Sequence, residues 1–468
     1  MGGQARNRIA APDAATGAVT AWDPNANSDV RALAVSGSTV YEGGIFSCMG
    51  DWLARSNLAA LDATTGAATA WNPGSSGTVS ALATDDGSTI YAGGGFTNIG
   101  GQARNNIAAL DAGTGAATAW DPNASGGGVS SLLALGNTIY VGGSFTNIGG
   151  QARNRIAALD ATTGAAIAWN PDANNTVARL AYGHLSPLRP GVVYAAGDFT
   201  SIGGQARSRI GALDELTGAA TDWDPNATGG SVSALAVGVL VQGVYVGGSF
   251  TGIGGQARNH LASLDPSPTT GAATSWNPAA ADDPPGVGVL VADGPTIYVG
   301  GQFTSMNGQV RNSIAALNAA TGSAFDWNPN SNDNAVVNAL AVSGGTVYVG
   351  GSFDNFGDRP QYGLAAITEA IVSVPEAHAA ASLELAQNRP NPAGTSTLIE
   401  FMLPTAAPVT LAVFDLLGRR VASLLEGEMR PAGANRVRFR PAGLAGGLYL
   451  YRLEALGRAV TRKMIVIE

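Results

Sequence analysis

The sequence predicts an all-β protein, with a seven-bladed β-propeller of four-stranded blades followed by a small immunoglobulin-like β-sandwich. Three observations predict it: a motif recurs about every 50 residues, glycine supplies 65 of 468 residues while charged residues supply only 13%, and the repeat stops near residue 369. Abundant glycine with few charges is typical of short strands and tight turns. A period near 50 without helical periodicity is typical of propeller blades.

Tryptophans mark the repeat and are separated by 49, 49, 49, 54, 53 and 51 residues. They are Trp22, Trp71, Trp120, Trp169, Trp223, Trp276 and Trp327. Each repeat contains four strand-like runs, here named A to D. In one repeat these runs are Val129–Leu135, Thr138–Phe145, Arg155–Asp160 and Ala165–Trp169. Short turns between A and B and between C and D predict antiparallel hairpins. The pair Gly142–Gly143 in run B predicts a bulge or a close approach between neighbouring sheets.

The order of the runs predicts how the ring closes. The chain begins with C and D runs and the repeats end with A and B runs, which are Arg8–Ala11, Ala18–Trp22, Val336–Val342 and Thr346–Phe353. We expect these two halves to form the seventh blade and so to remove exposed sheet edges. A further C-like run, Tyr362–Ile367, competes with Arg8–Ala11 for the C position of the seventh blade. Directly after Arg8–Ala11, Pro12 stands where the other repeats have leucine.

These repeats resemble the bacterial β-propeller repeats of the delta-60 type, which carry Gly-Gly-x-Phe-Thr, then Arg-Asn-x-Ile-Ala-x-Leu-Asp, then Gly and an aromatic residue. The resemblance covers about three-quarters of the chain. It implies shape alone, because members of that family generally have no assigned activity. The run Ala158–Trp169 also resembles the tryptophan-docking repeat of quinoprotein dehydrogenases, which have eight blades and a calcium-bound quinone. Its Trp follows the Gly by five residues rather than four. We instead expect Asp and Thr to close a hairpin and Trp to pack between blades.

The repeat pattern ends before the C-terminal part of the chain. We place the propeller in residues 1–368, a linker with Pro375 and an alanine-rich run in residues 369–382, and a β-sandwich in residues 383–468. Alternating or apolar runs between turns predict the strands of this sandwich. They are Ser396–Leu403, Val409–Asp415, Arg420–Leu425, Asn435–Phe439, Gly447–Glu454 and Val460–Ile467.

Several motifs of the predicted sandwich resemble the C-terminal sorting domain of type IX secretion cargo. The residues that carry the resemblance are Asn388, Pro390, Asn391, Pro392, Asp415, Gly418, Arg419, Gly447, Tyr449, Arg452 and Lys463. Arg389 stands where an aromatic residue is usual, and Glu468 ends a chain that more often ends in lysine. A related immunoglobulin-like module of flagellar hook-cap proteins has similar motifs. The resemblance implies the type IX secretion machinery as a partner and a secreted or cell-surface location.

Charge and hydropathy exclude several partners. The net charge of −9 divides into −12 for residues 1–370 and +3 for residues 371–468. Since the acidic part repels nucleic acid and anionic lipid, we expect neither as a partner. No apolar run reaches the ~18 residues needed for a transmembrane segment. The N-terminal residues 1–7 lie inside a repeat and lack a signal-peptide pattern, so we expect either a truncated secreted chain or a chain that is not secreted.

No residue pattern predicts a catalytic, cofactor or metal site. Cys48 is the only cysteine and stands where the next repeat has Asn98. The three histidines have neither metal-ligand nor triad spacing; they are His184, His260 and His378. A repeated arginine precedes each C run, and we expect each one to bond to its own blade's Asp or to loop carbonyls rather than to bind an anion. These arginines are Arg6, Arg55, Arg104, Arg153, Arg207, Arg258 and Arg311.

The connections between runs predict one face for binding. In an antiparallel blade the D-to-A and B-to-C connections leave from the same end, so the Asn-rich loops share a face with the Gly-Gly-Gln-Ala-Arg loops. The Asn-rich loops include Asn25–Asp29, Asn123–Gly127 and Asn330–Asn334. An acidic, concave pocket on this face at the axis would favour ligand binding, whereas a shallow Ala/Gly surface would disfavour it. The sequence assigns no ligand-binding residue.

We therefore expect a secreted or cell-surface propeller that is a non-catalytic binding or adhesion scaffold for a glycan or a protein. One alternative is a quinoprotein-like or hydrolytic enzyme, and another is a purely structural surface spacer. Since no acid, base or nucleophile recurs with the repeat, the sequence disfavours the enzyme.

Overall fold

The structure is a computed structural model. It describes residues 22, 24–50, 53–84, 87–183, 191–238, 243–267, 270–278, 280, 286–329, 331, 335–356, 359–360, 362–368, 383–389, 391–394, 396–415, 418–431, 433–441 and 443–467. The chain divides into two compact units, Met1–Ile371 and Val372–Glu468. The predicted linker, residues 369–382, and the predicted run Arg8–Ala11 lie outside the described residues.

In the described part of the first unit, a five-strand pattern occurs seven times. Two long strands precede a short two-stranded hairpin, and a third long strand follows it. In chain order the strands are β1 (Val30–Ser36), β2 (Thr39–Gly44), β3 (Cys48–Met49), β4 (Leu53–Ala54), β5 (Leu58–Asp62), β6 (Thr78–Thr84), β7 (Thr89–Gly95), β8 (Asn98–Ile99), β9 (Gln102–Ala103), β10 (Ile107–Asp111), β11 (Val129–Leu135), β12 (Thr138–Gly143), β13 (Asn147–Ile148), β14 (Gln151–Ala152), β15 (Ile156–Asp160), β16 (Val177–Gly183), β17 (Val192–Gly197), β18 (Ser201–Ile202), β19 (Gln205–Ala206), β20 (Ile210–Asp214), β21 (Val232–Gly238), β22 (Gly243–Gly248), β23 (Gly252–Ile253), β24 (Gln256–Ala257), β25 (Leu261–Leu264), β26 (Val287–Asp293), β27 (Thr296–Gly301), β28 (Ser305–Met306), β29 (Gln309–Val310), β30 (Ile314–Asn318), β31 (Val336–Ser343), β32 (Thr346–Ser352), β33 (Asn355–Phe356), β34 (Arg359–Pro360) and β35 (Leu364–Thr368).

The three long strands of each repeat form one antiparallel sheet in the order A-B-C. The sheets are β1-β2-β5, β6-β7-β10, β11-β12-β15, β16-β17-β20, β21-β22-β25, β26-β27-β30 and β31-β32-β35. Each sheet packs on the next, and β1 packs on both β6 and β31, so the described sheets follow one another in a closed ring. The A strands of neighbouring sheets contact each other, which places strand A nearest the axis. The fold is of the propeller type.

The glycine pair of strand B lies opposite a bulge and also approaches the next sheet closely. The register between β11 and β12 shifts between Val129 and Ser131, opposite Gly143 and Gly142, so strand A carries the bulge. A Cβ atom on Gly142 would lie 2.9 Å from Cγ1 of Val177 in the next sheet. A side chain at this position would therefore push two neighbouring sheets apart.

The predicted fourth strand is reduced to a short edge segment. Run D touches strand C through one isolated bridge in most repeats, for example Leu159 with Ala166. The Asp160 N–H donates to Ala165 O and the Ile167 N–H donates to Ala158 O, both at 3.0 Å. The carbonyl of Ile167 then accepts from Arg153 Nη2 at 2.9 Å. Because the arginine takes this carbonyl and the chain turns inward at Trp169, the pairing ends after one bridge.

The predicted closing strand is wrong. Strand β35 pairs with β32 and occupies the C position of the last sheet, where Arg8–Ala11 was expected. The hairpin β33–β34 leads directly into β35, and Leu364 and Ile367 are fully buried, so the competing run joins its own sheet through a short connection. The competitor from the other end of the chain carries Pro12, which lacks the N–H that a strand interior needs.

Trp22 nevertheless takes the place that run D supplies elsewhere. Its ring meets Tyr348 of the last sheet edge-on, with ring centroids 5.2 Å apart. Its Nε1–H donates to the carbonyl of Asp62 in the first sheet at 2.9 Å. The two ends of the repeat array thus meet at one contact between the first and last sheets, hereafter the closing interface.

The second unit contains two sheets around one core. Its strands are β36 (Glu384–Leu385), β37 (Thr397–Leu403), β38 (Ala407–Phe414), β39 (Arg420–Arg430), β40 (Gly433–Phe439), β41 (Gly447–Ala455) and β42 (Arg458–Val466). The orders are β36-β37-β40 and β39-β38-β41-β42. Ile399 and Phe401 of one sheet pack with Leu411, Tyr451 and Leu453 of the other, and all five are fully buried. Each of the six predicted strands is present, and β36 is an addition.

Candidate functional site

The first motif residue of the C-terminal unit is buried and structural. Asn388 is 1% exposed, its N–H donates to Tyr451 Oη at 2.7 Å, and its Nδ2 donates to Thr397 Oγ1 at 2.9 Å. The Tyr451 hydroxyl in turn donates to Ala386 O at 2.6 Å. A tyrosine hydroxyl is already protonated at neutral pH, and burial raises the pKa of Tyr451 further. This network joins the segment before β37 to the centre of β41.

The described residues 387–389 and 391–393, hereafter the strap, cover part of the outer edge of β42. Asn391 Oδ1 accepts from the Ile465 N–H at 2.8 Å, and Gln387 Nε2 donates to Lys463 O at 2.6 Å. Ala393 exchanges backbone bonds with Ile465 and Ile467. Pro390 lies outside the described residues, and Pro392 follows Asn391 in the strap. The strap therefore links the two sheets.

The other motif residues lie at turns and strand positions of the four-stranded sheet. Asp415 accepts from the Arg419 N–H at 2.9 Å and from Arg419 Nε at 2.7 Å, and Gly418 has a φ of 77° between them. Gly447 begins β41. Arg452 Nε lies 2.9 Å from Glu454 Oε1, with both side chains about half exposed, and Lys463 is exposed in β42. The structure thus distributes the motif residues over the strap, one turn and two strands.

Replacing Tyr451 by phenylalanine is expected to destabilise the second unit by about 1–3 kcal/mol, since the change leaves the Asn388 N–H and the Ala386 carbonyl without their buried partner. Hydrogen exchange of peptides from residues 383–468 measures it. The control is Tyr449→Phe, which removes only an exposed bond to Ala445 O. Equal protection in the two variants would contradict the structural role of Tyr451.

The repeated arginines bond to loop carbonyls, as expected. In each described case Nη1 donates to the carbonyl of the preceding residue, and Nη2 donates to a carbonyl of run D. For Arg104 the acceptors are Ala103 O at 2.8 Å and Thr118 O at 2.6 Å. Arg104 also lies 3.6 Å from Asp121. These side chains stabilise the outer part of each sheet, while Arg6 lies outside the described residues.

The repeated Asp, Thr and Trp join each sheet to the next. Asp160 Oδ1 accepts from the N–H of Thr163 at 2.7 Å and from its hydroxyl at 2.8 Å, and these bonds lower the Asp160 pKa. Trp120 Nε1 donates to the Asp160 carbonyl of the following sheet at 3.0 Å, and its ring meets Tyr91 edge-on. The expected hairpin closure and inter-sheet packing are therefore both present.

The two kinds of loop share a face, as expected. The D-to-A loop forms a bridge with the short hairpin of the next repeat, for example Ser125 with Asn147. In the first repeat Asn27 Oδ1 accepts from the N–H groups of Ser47 and Cys48 at 2.9 and 3.1 Å. Asn side chains of these loops therefore hold neighbouring repeats together.

The side chains in the A-strand bulges, which lie near the axis, are mostly small. The residue inside the bulge of each A strand is Arg31, Ser80, Ser130, Ala178, Ser233, Gly288 or Asn338. None of these seven is acidic. Of the histidines, His260 is buried before β25, and the other two lie outside the described residues. The described part of the chain contains no cluster of His, Cys, Asp or Glu that could hold a metal ion.

The repeated sheets of the first unit define a repeat protein of the β-propeller type. The two sheets and the strap of the second unit define a separate C-terminal module. Residues 137–162 match a family described as a domain of unknown function (DUF5122) beta-propeller. Residues 389–468 match the family described as secretion system C-terminal sorting domain. The chain therefore carries a propeller repeat and a type IX sorting tail, which implies the type IX machinery as a partner and export to the cell surface or the medium.

A comparison with curated proteins finds no match. Among solved structures, the crystal structure of the Saccharomyces cerevisiae Sqt1 is similar, with 12% sequence identity, a TM-score of 0.44, and coverage of 76% of this chain and 99% of that chain. Within the residues that the structure describes, no helix is long and apolar enough to cross a membrane.

Proposed function

We propose that the first unit is a seven-bladed β-propeller that acts outside the cell as a non-catalytic binding or adhesion scaffold. The second unit is an immunoglobulin-like sandwich through which the type IX machinery exports it. The cyclic packing of the described sheets supports the seven-bladed propeller. The shared core of two small sheets supports the sandwich.

The scaffold function is supported by the repeated polar side chains, because they bond within the fold. Arg153 bonds to two carbonyls, Asp160 and Thr163 close a turn, and Trp169 donates to the next sheet. Repeated catalytic groups need reactive atoms that face a substrate. These groups instead hold strands and neighbouring sheets together, which favours a scaffold over a quinoprotein-like or hydrolytic enzyme.

A repeated glutamine supports binding on the loop face. It lies in the second short strand of a repeat, and it is exposed at Gln102, Gln151, Gln205, Gln256 and Gln309. A side-chain amide both donates and accepts hydrogen bonds, as the hydroxyl groups of glycans also do. Five successive repeats therefore present similar hydrogen-bonding amides, which suit a glycan or the backbone of a protein ligand.

Binding is tested with the full chain on an array of glycans and extracellular matrix proteins. The variant Gln102→Ala/Gln151→Ala/Gln205→Ala/Gln256→Ala is expected to lose binding. The control, Thr64→Ala/Thr162→Ala, changes exposed residues in C-to-D turns at the opposite ends of the sheets and is expected to bind normally. The small residues in the bulges favour a purely structural spacer as the second candidate, and an unaltered chain that binds nothing on the array would support it.

Export is tested by deleting residues 383–468 from a chain with a working leader, in a host with type IX secretion. The truncated chain is expected to accumulate in the periplasm, because the sorting domain is missing. All eight tryptophans precede residue 372, so their fluorescence reports whether the first unit is folded. Normal amounts of truncated protein in the medium or on the cell surface would contradict the export function.

A further inference from the structure

The outward face of the four-stranded sheet carries a group of apolar side chains that point away from the core. Along β41, Tyr451 and Leu453 point inward and are fully buried. Their neighbours in the strand point outward because side chains alternate. Register places Phe414 opposite Leu450, and Leu448 opposite Ile465. These four side chains, hereafter the outer patch, lie on β38, β41 and β42.

The outer patch is accessible and continuous. Leu448 is 37% exposed and Ile465 is 43% exposed, while Phe414 and Leu450 are partly buried. Directly opposed side chains lie about 5 Å apart at Cβ, and neighbours two residues apart on one strand lie about 7 Å apart. The four residues therefore touch or nearly touch, and such continuous apolar surfaces on soluble domains mark interaction sites.

Basic groups surround the outer patch. Lys463 lies opposite Leu450, and Arg420 lies opposite Phe414. Arg420 has an exposed ion pair with Glu426 at 3.3 Å, and Lys463 is exposed. Exposed pairs of this kind contribute little and exchange readily. A partner with carboxylates around an apolar contact would complement this surface.

Several motif residues are engaged within the fold, which leaves the outward face of the sheet for recognition. Asn388 and Asn391 are engaged within the fold, and Asp415 holds Arg419 in a turn. The strap covers the outer edge of β42 at its C-terminal end, so a partner strand cannot pair there. The outer patch takes part in neither arrangement.

We propose that the outer patch is the docking surface for a protein of the export machinery that presents apolar side chains flanked by carboxylates. The inference rests on the proposed export function. The apolar contact excludes water and supplies affinity, and Lys463 and Arg420 orient the acidic partner.

The test uses the full chain with a leader in a host with type IX secretion. Leu448→Asp/Ile465→Asp is expected to lower the exported amount about tenfold or more, because charges replace the centre of the contact. Lys463→Glu is expected to lower it several-fold. The control is Met429→Asp, which changes an apolar residue with 66% exposure. It lies opposite Pro408, about 20 Å along β38 from Phe414.

Hydrogen exchange of residues 383–468 shows whether each variant folds. If the double Asp variant unfolds, the exported amount of Leu448→Thr/Ile465→Thr is measured instead, since threonine retains strand propensity. Normal export of a folded outer-patch variant overturns the inference. If the deletion of residues 383–468 still blocks export in that case, the export function stands. If the deletion also leaves export normal, the export function itself fails.

Discussion

Substituting Trp120 by alanine is expected to destabilise the first unit by about 3–5 kcal/mol. The indole is only 4% exposed and packs with Tyr91 of one sheet and Val141 of the next. Its loss leaves a cavity between two sheets and removes the Nε1 bond to Asp160 O. Because neighbouring sheets contact each other through such residues, the change weakens an interface as well as a single sheet.

Denaturant unfolding followed by tryptophan fluorescence measures this effect. The control is Ile167→Ala, which truncates a side chain with 37% exposure in run D of the following repeat and is expected to cost less than about 1 kcal/mol. Trp120→Phe retains an aromatic ring but loses the Nε1 donor, so it should fall between the two. An unchanged unfolding midpoint for Trp120→Ala, with loss of ligand binding, would mean that the tryptophan is a binding residue instead.

Replacing Glu42 by valine is expected to stabilise the first unit by an amount that grows with pH. Glu42 is fully buried, and its carboxylate oxygens have no hydrogen-bond partner among the described residues. It lies opposite Ala59, which packs in the closing interface with Tyr348 and Leu364. The corresponding strand positions hold Ala92, Val141, Ala195, Val246, Val299 and Val349.

The direction in which stability changes with pH follows from the direction of the Glu42 pKa shift. Burial raises the pKa of Glu42 well above its ordinary value of 4.5. Below that ordinary value the carboxyl is protonated in both the folded and the unfolded chain. Above it the unfolded chain releases the proton while the folded chain keeps it, so stability falls by about 1.4 kcal/mol per pH unit until the folded pKa is reached. The valine variant lacks this dependence.

Unfolding free energies measured by tryptophan fluorescence across the acidic to neutral range test this prediction. Glu42→Gln removes the ionisation but retains a buried polar group, so it should share the flat pH profile of Glu42→Val at lower stability. Val141→Glu, at the same strand position in another sheet, should introduce the pH dependence a second time. Parallel profiles for the native chain and Glu42→Val would show that this carboxyl is solvated or paired in solution.

The sequence alone determined the repeat length, the three long strands of most repeats and the long strands of the second unit. The prediction Val129–Leu135 coincides with β11, and the six runs predicted for the C-terminal unit correspond to β37–β42. This succeeds because apolar alternation and turn residues are local properties of the chain. Short motifs likewise predicted the C-terminal sorting domain, which the family match of residues 389–468 supports.

Only the tertiary structure decided which C run closes the ring, where Glu42 lies and what the motif residues do. Tyr362–Ile367 and Arg8–Ala11 have similar patterns, and β35 prevails because its connection is short and its side chains fill the last sheet. In the sequence, Glu42 is only a substitution at a strand position that holds Ala or Val in the other repeats. Packing shows that this position lies against another sheet. Which side chains remain on the outer patch depends on the pairing of β38, β41 and β42. These properties arise from contacts between residues far apart in the chain, and no local pattern encodes them.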